Sequence, residues 1–310
     1  MDLIATHQLH LQGLDSRAIS RMVGAGDLVR VMRGHYLDSP LDADGLHLAR
    51  AAACAGQVLA LESAALVHGL PLDRLPTLVQ VVRPGHGRSQ VRGKRLITSA
   101  PLPDHHVVDL DGMRLTTRAR TVVDLARLRG LMTGLVAWES ARWQARTSNA
   151  LAGFDAAASD ALDVLARRRG IATARQAMSL ASAWSQSPME TRSLMTMRTL
   201  GLPEPVQQYR VTDWSGATLG YADFAWPELG VLGEYDGQDK YGILSRPGES
   251  PLAVVRREKR RQEGMEALGW VFARWGHEEV RRPPALRARV QAAFAIAATR
   301  TITLPGVDTR

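Results

Sequence analysis

Three carboxylates, Asp223, Glu234 and Asp236, stand inside two short apolar runs in GYADFAWPELGVLGEYDGQDKY, residues 220–241. Such runs usually form the buried middle of a sheet, where an unpaired carboxylate is costly. Residues two apart on a strand share a face, so Glu234 and Asp236 point the same way with Tyr235 opposite. The loop WPELG lets the strand ending near Asp223 pair with the one holding Glu234, which brings three carboxylates to one end of a sheet. Clustered carboxylates raise one another's pKa unless a cation neutralises them. Oxygen ligands of this kind suit Mg²⁺ (or Mn²⁺), and Glu190, on a helix upstream, is a candidate fourth member. Phosphodiester hydrolysis needs such a set: the metal polarises the phosphate, activates a bound water and stabilises the leaving oxygen. Lys240 or Lys259 would orient the water or stabilise charge. Each acid also has a plainer reading. Asp236-Gly237 can be a hairpin turn, Asp223 the partner of an arginine, and Glu190 a capping residue.

The elements that must position these acids follow from pattern. In SPMETRSLMTMRTLGLP, Ser187 is a helix cap, Pro188 occupies the first helical position and Glu190 the third, a capping-box arrangement. Strands VQQYRVTD, GATLGYADFAW and GVLGEYDG come next, then the helix PLAVVRREKRRQEGMEALG and the strand WVFARW. The order is helix, three strands, helix, strand, over residues 187–310.

Three further segments precede it. In 1–40, Asp2 to Gln12 reads as a short helix broken at Gly13, and Asp15 or Ser16 caps a second helix through Ala25. Ile19, Met22 and Val23 share one face of that helix, while Arg17, Ser20 and Arg21 lie on the other. LVRVMRGHYL reads as two strands around Arg33-Gly34. Helix, turn, helix, hairpin is the winged helix-turn-helix order. It would put Arg17, Ser20 and Arg21 at a major groove and Arg30 and Arg33 on the wing. A small helical cap with solvated arginines has the same spacing.

Segment 41–129 opens on one long helix, GLHLARAAACAGQVLALESAALVHGLPL, and continues as strands LVQVVRP, KRLITSA, HHVVDLDG and MRLTTRART before a helix at VVDLARLRG, an α+β domain. His105 and His106, read as strand neighbours, would point to opposite faces and could not easily share a metal ion. Arg83, Arg88, Arg92, Lys94 and Arg95 surround the turn PGHGRSQVRGKR, either a phosphate-contacting loop or a solvated one. Segment 130–186 is alanine-rich and reads as a helical connector, with Trp138 and Trp143 towards a core and RRRG (167–170) as a helix end.

Composition bounds the class. The chain has 310 residues, 45% hydrophobic and 23% charged, a soluble profile with room for several cores. No apolar run can cross a bilayer, and MDLIATHQLH is not a secretion signal. The single cysteine, Cys54, excludes an internal disulfide and fits a reducing cytoplasm. Net charge is +8, but of the 39 basic residues only Lys94, Lys240 and Lys259 are lysines. Coding bias towards arginine therefore accounts for much of the charge, and charge alone is modest support for a nucleic-acid partner.

Glu190, Asp223-Phe224, Glu234-Tyr235-Asp236-Gly237, Lys240-Tyr241, Arg257 to Arg261, Gly269-Trp270 and Arg274-Trp275 together resemble the very-short-patch-repair-like branch of the PD-(D/E)XK nuclease superfamily. The N-terminal GLDSRAISRMVGAGDLVRVMRGHYL, with LESAALVHGLPL and TTRARTVVDLAR, is similar to the AbiEi-type antitoxin and regulator architecture. The resemblance implies a restriction-endonuclease-like mixed sheet flanked by helices, behind a winged helix and a middle α+β domain. It implies Asp223, Glu234 and Glu190 as Mg²⁺ ligands, DNA (or RNA) as substrate, and a possible homodimer. One departure stands out: Asp236 occupies the place of the usual lysine, so cleavage would need Lys240 or Lys259 to supply the amine, and without it the regulator reading is favoured. Two functions follow as expectations: a Mg²⁺-dependent endonuclease or nickase in defence or repair, and a non-catalytic DNA-binding regulator of the antitoxin type.

Overall fold

The computed structural model describes residues 3–237 and 251–300. The protein is a mixed α and β chain that divides into two compact units, Met1–Ala181 and Ser182–Arg310. Among the described residues no helix is long and apolar enough to cross a membrane.

The first unit begins with β1 (Ile4–Ala5), α1 (Thr6–Leu11), α2 (Ser16–Ala25), β2 (Val29–Met32) and β3 (His35–Leu37). The Asp15 carboxylate caps α2 by accepting from Ala18 N at 2.7 Å. Ile19, Met22 and Val23 of α2 pack with Leu9, Leu28 and Tyr36. The first helix starts at Thr6 instead of Asp2, because Ile4 and Ala5 pair antiparallel with Tyr36 and His35 and complete a three-stranded sheet, order β1-β3-β2.

Next come α3 (Ala43–Ala52), β4 (Val58–Leu59), α4 (Leu61–Val67), β5 (Val79–Pro84), β6 (Gln90–Arg92), β7 (Arg95–Ala100), β8 (Val107–Leu110), β9 (Met113–Thr116) and α5 (Arg118–Arg129). The expected single helix across GLHLARAAACAGQVLALESAALVHGLPL is in fact two. Gly56 turns the chain at φ +77°, and Val58 and Leu59 enter the sheet between β5 and β9. Their burial there outweighs the helical propensity of the alanines around them. The six strands run β6-β7-β5-β4-β9-β8, with parallel pairing at β5–β7 and β4–β9. Helices α6 (Leu131–Thr147), α7 (Leu151–Val164) and α8 (Ile171–Leu180) pack on α5; Trp138 is fully buried and Trp143 half-buried.

The second unit holds α9 (Pro188–Thr199), β10 (Val206–Thr212), β11 (Thr218–Trp226), β12 (Val231–Tyr235), α10 (Pro251–Ala267), β13 (Val271–Trp275), α11 (His277–Arg281) and α12 (Pro283–Ala298). Its mixed sheet has the order β10-β11-β12-β13, antiparallel except for β12–β13. Alternation along β12 and β13 builds two cores. Val231, Val271, Ala273 and Trp275 pack with Leu194 and Met197 of α9 and with Leu286 and Val290 of α12. Leu232 and Phe272 face the other way, onto Met265 of α10 and Trp270. Glu234 has the parity of Leu232, so it points to the α10 side.

Candidate functional site

Ser187 Oγ accepts from Glu190 N at 3.2 Å, which starts α9, and returns a hydrogen bond to Glu190 Oε1 at 2.9 Å. Glu190 Oε2 accepts from Gln186 N at 2.9 Å and from Gln208 Nε2 at 3.1 Å. Gln208 has φ +49°, an uncommon conformation for a residue with a side chain. It lies between the pairs Gln207–Phe224 and Tyr209–Ala222, opposite Asp223 on the ladder. Asp223 Oδ2 accepts from Tyr235 N at 2.9 Å, which ties β11 to the end of β12. Burial, followed by the charge of Asp223, pushes the Glu190 carboxyl up to about 7. The structure thus brings Glu190 and Asp223 into one electrostatic environment.

Glu234 is held differently. Arg261 Nη2 donates to its Oε1 at 2.8 Å, and Arg274 Nε donates to its Oε2 at 3.0 Å. Arg261 also pairs with Glu258 at 2.8 Å, and Arg274 donates to Gln262 Oε1 at 2.9 Å while lying 4.6 Å over the Phe272 ring. Arg274 reaches Glu234 because the parallel register sets these two residues side by side. Arg261 reaches it because α10 runs close over β11: a Cβ on Gly220 would stand 2.8 Å from Arg261 Cδ and 3.0 Å from Met265 Cε. Burial alone would raise the Glu234 pKa, but Arg261 and then Arg274 overcome it and hold the carboxyl below its usual range. Among the described residues, Glu190, Asp223 and Glu234 do not bring one oxygen each within 4.8 Å of one another.

Asp236 lies just past the end of β12, exposed, with its N–H donating to Trp275 O at 2.8 Å. Lys259 is exposed and lies 3.8 Å from Glu263, one turn along its own helix. Lys240 lies outside the described residues. Among the described residues, both Glu234 oxygens are engaged by guanidinium groups, and both Glu190 oxygens accept hydrogen bonds. Gln208 carries no signal in the sequence, and Arg261 and Arg274, part of the resemblance motif, have no assigned role there. In RREKRRQ nothing local distinguishes Arg261 from its neighbours, and only the strand register marks Arg274 as the neighbour of Glu234.

At the other end of the chain, Arg17, Ser20 and Arg21 on α2 and Arg30 and Arg33 on the β2–β3 hairpin are all exposed. Ser20 Oγ also donates back to Ser16 O at 2.9 Å.

His105 and His106 require a correction. They form a single 3-10 turn, Asp104–His106, ahead of β8, and both Nε2 atoms meet Asp160 Oδ2, at 2.9 and 2.7 Å. Strand alternation therefore does not apply to them, and with Asp160 they are the described residues whose ligand atoms do gather within 4.8 Å. Arg120 Nη1, however, lies 3.0 Å from His106 Nδ1. A guanidinium can only donate, so Nδ1 accepts and the ring proton sits on Nε2, facing Asp160. A metal at Nε2 would drive that proton onto Nδ1, against the arginine. The cluster is a hydrogen-bond relay from buried Arg120 to Asp160, whose pKa the two histidines lower.

No family model matches the chain. It is similar to uncharacterized proteins of two Mycobacterium tuberculosis strains, 31% identical over 190 residues, an alignment that covers 57% of this chain. The chain spans 66% of the length of those relatives, a little under two thirds.

Proposed function

We propose that the chain is a DNA-binding regulator of the antitoxin type, with a winged helix-turn-helix at its N-terminus and a nuclease-like C-terminal unit that does not cut. The observation that carries this reading is the clamp of Arg261 and Arg274 on Glu234, which engages both oxygens of a carboxylate that the nuclease reading needs as a metal ligand. DNA binding is supported by α2, which buries Ile19 and presents Arg17, Ser20 and Arg21 to solvent, with Arg30 and Arg33 beside it on the hairpin. Purified protein incubated with supercoiled plasmid and Mg²⁺, Mn²⁺ or EDTA should leave the plasmid intact while still retarding it in a gel. The pairing of Glu190 with Asp223 favours a second reading, the Mg²⁺-dependent nuclease. Metal-dependent nicking that disappears in Asp223→Ala would establish that reading and remove the first.

The two regions of the regulator separate in a second measurement. Replacing both Arg17 and Arg21 with alanine should weaken DNA binding at least tenfold. It should also make the salt dependence shallower by about one unit of slope for each lost phosphate contact. Unchanged retardation across a salt series would refute the assignment of α2 to DNA.

A further inference from the structure

The first unit contains a cleft of about 550 Å³, within the size range of small-ligand sites. Five arginines line it: Arg88, Arg127, Arg167, Arg168 and Arg169. Arg88 comes from the loop between β5 and β6, Arg127 from α5, and the other three from the link between α7 and α8. The single lining carboxylate, Asp124, is already shared by Arg120 and Arg127, both at 2.8 Å. Arg168 spends its donors on neutral groups, Ser99 O at 2.5 Å and His86 Nδ1 at 3.4 Å. Arg88, Arg167 and Arg169 are exposed and form no ion pair with any described residue. Three separate elements therefore converge on one concavity with a large excess of positive charge.

The wall of the cleft is built for close approach. A Cβ on Gly87 would stand 3.2 Å from Arg83 Nη2 and 3.3 Å from Ser99 Oγ, so a larger residue there would have to displace these side chains by a few tenths of an ångström. Arg83 Nε in turn donates to Ser99 Oγ at 3.0 Å. Leu61, also in the lining, is buried with φ +52°, a conformation that β-carbon sterics disfavour and that is concentrated at ligand sites. The floor is apolar, with Ala60, Leu61, Val82 and Leu128. An arginine rim over an apolar floor suits a ligand with a doubly charged oxyanion at one end and a flat, weakly polar body at the other.

We propose that this cleft binds a phosphate monoester carried on a body the size of a nucleotide. The inference stands apart from the DNA-binding reading of α2, since it uses none of the same residues. The source of the monoester is either a free nucleotide or the 5′-phosphorylated end of a strand. Calorimetric titration of the full chain carrying Arg17→Ala and Arg21→Ala, which removes the proposed helix contacts, tests it with four probes: thymidine 5′-monophosphate, thymidine, and a short single-stranded oligonucleotide with either a 5′-phosphate or a 5′-hydroxyl. The monophosphate should bind saturably and at least tenfold more tightly than thymidine. Adding Arg88→Ala and Arg167→Ala, both at exposed positions, should weaken it at least tenfold without changing the thermal midpoint. Preference for the 5′-phosphate oligonucleotide over its hydroxyl twin assigns the site to strand ends, and equal behaviour of the twins assigns it to free nucleotides. Equal affinity for thymidine and its monophosphate, or binding that survives loss of Arg88 and Arg167, would overturn the proposal, as would no saturable binding of the monophosphate or the phosphorylated strand at millimolar concentration.

Discussion

Replacing Glu234 with alanine is expected to destabilise the second unit by about 2–3 kcal/mol, read as a fall of several degrees in its thermal midpoint. Removing one partner of a buried ion pair costs about 3–5 kcal/mol, because the remaining charge keeps its desolvation penalty without its compensation. Here Glu234 is 7% exposed and would leave two guanidinium groups, those of Arg261 and Arg274, facing each other. Both arginines reach solvent in part, which screens the charges left behind and brings the expected cost to the bottom of that range or just below it. The sign of the effect is the informative part. A carboxylate in an unfilled metal cluster repels its neighbours, and its removal would raise stability. A carboxylate clamped between two arginines cannot behave that way. Thermal unfolding of Glu234→Ala and Arg261→Ala, singly and together, measures the coupling directly. The double variant is expected to lose clearly less than the sum of the two single losses, and a more stable Glu234→Ala would rule out the clamp as a structural feature.

Glu190 gives the second large effect, and it depends on pH. Its folded pKa is raised to about 7 from an ordinary 4.5, by burial first and Asp223 second. The folded state therefore binds this proton more tightly than the unfolded chain does. The stabilisation is complete below about pH 4.5 and is lost as pH rises to about 7, a change of about 3 kcal/mol over the window. Glu190→Gln removes the titration while keeping the hydrogen bonds, since an amide oxygen can accept from Gln186 N and Gln208 Nε2 and the amide NH₂ can donate to Ser187 Oγ. The variant should match or fall below the parent near pH 5 and exceed it at pH 8. The Glu234 contribution does not confuse the comparison. Its pKa is lowered, so its stabilisation is present above 4.5 and is lost only as pH falls further. Parallel stability curves from pH 5 to 8 would show that Glu190 does not titrate in this range.

Much of the local structure was legible in the chain. The Ser187-Pro188 helix start, the strands at 206–212, 218–226 and 231–235, and the hairpin around Arg33-Gly34 all follow from caps, alternation and turn residues. The break at Gly56 was not legible, because a two-residue strand carries no period of its own and forms only when β5 and β9 flank it. The turn at Asp104–His106 was hidden for a related reason: its apolar surroundings match a strand, and only α7 supplies the Asp160 that draws both rings together.

The site divides in the same way. Residue types and spacing by themselves determined that Glu190, Asp223 and Glu234 belong to one helix-and-sheet unit, because each sits at a fixed place on an element whose period the sequence spells out. Only the tertiary structure decided which charge answers which. Arg261 lies 27 residues from Glu234 and Arg274 lies 40 away, and each is one of many arginines in an arginine-rich chain. Their choice rests on the parallel pairing of β12 with β13 and on the close passage of α10 over Gly220. Pairing of charges is a matter of distance in space, and sequence periodicity specifies faces of elements but not which elements meet.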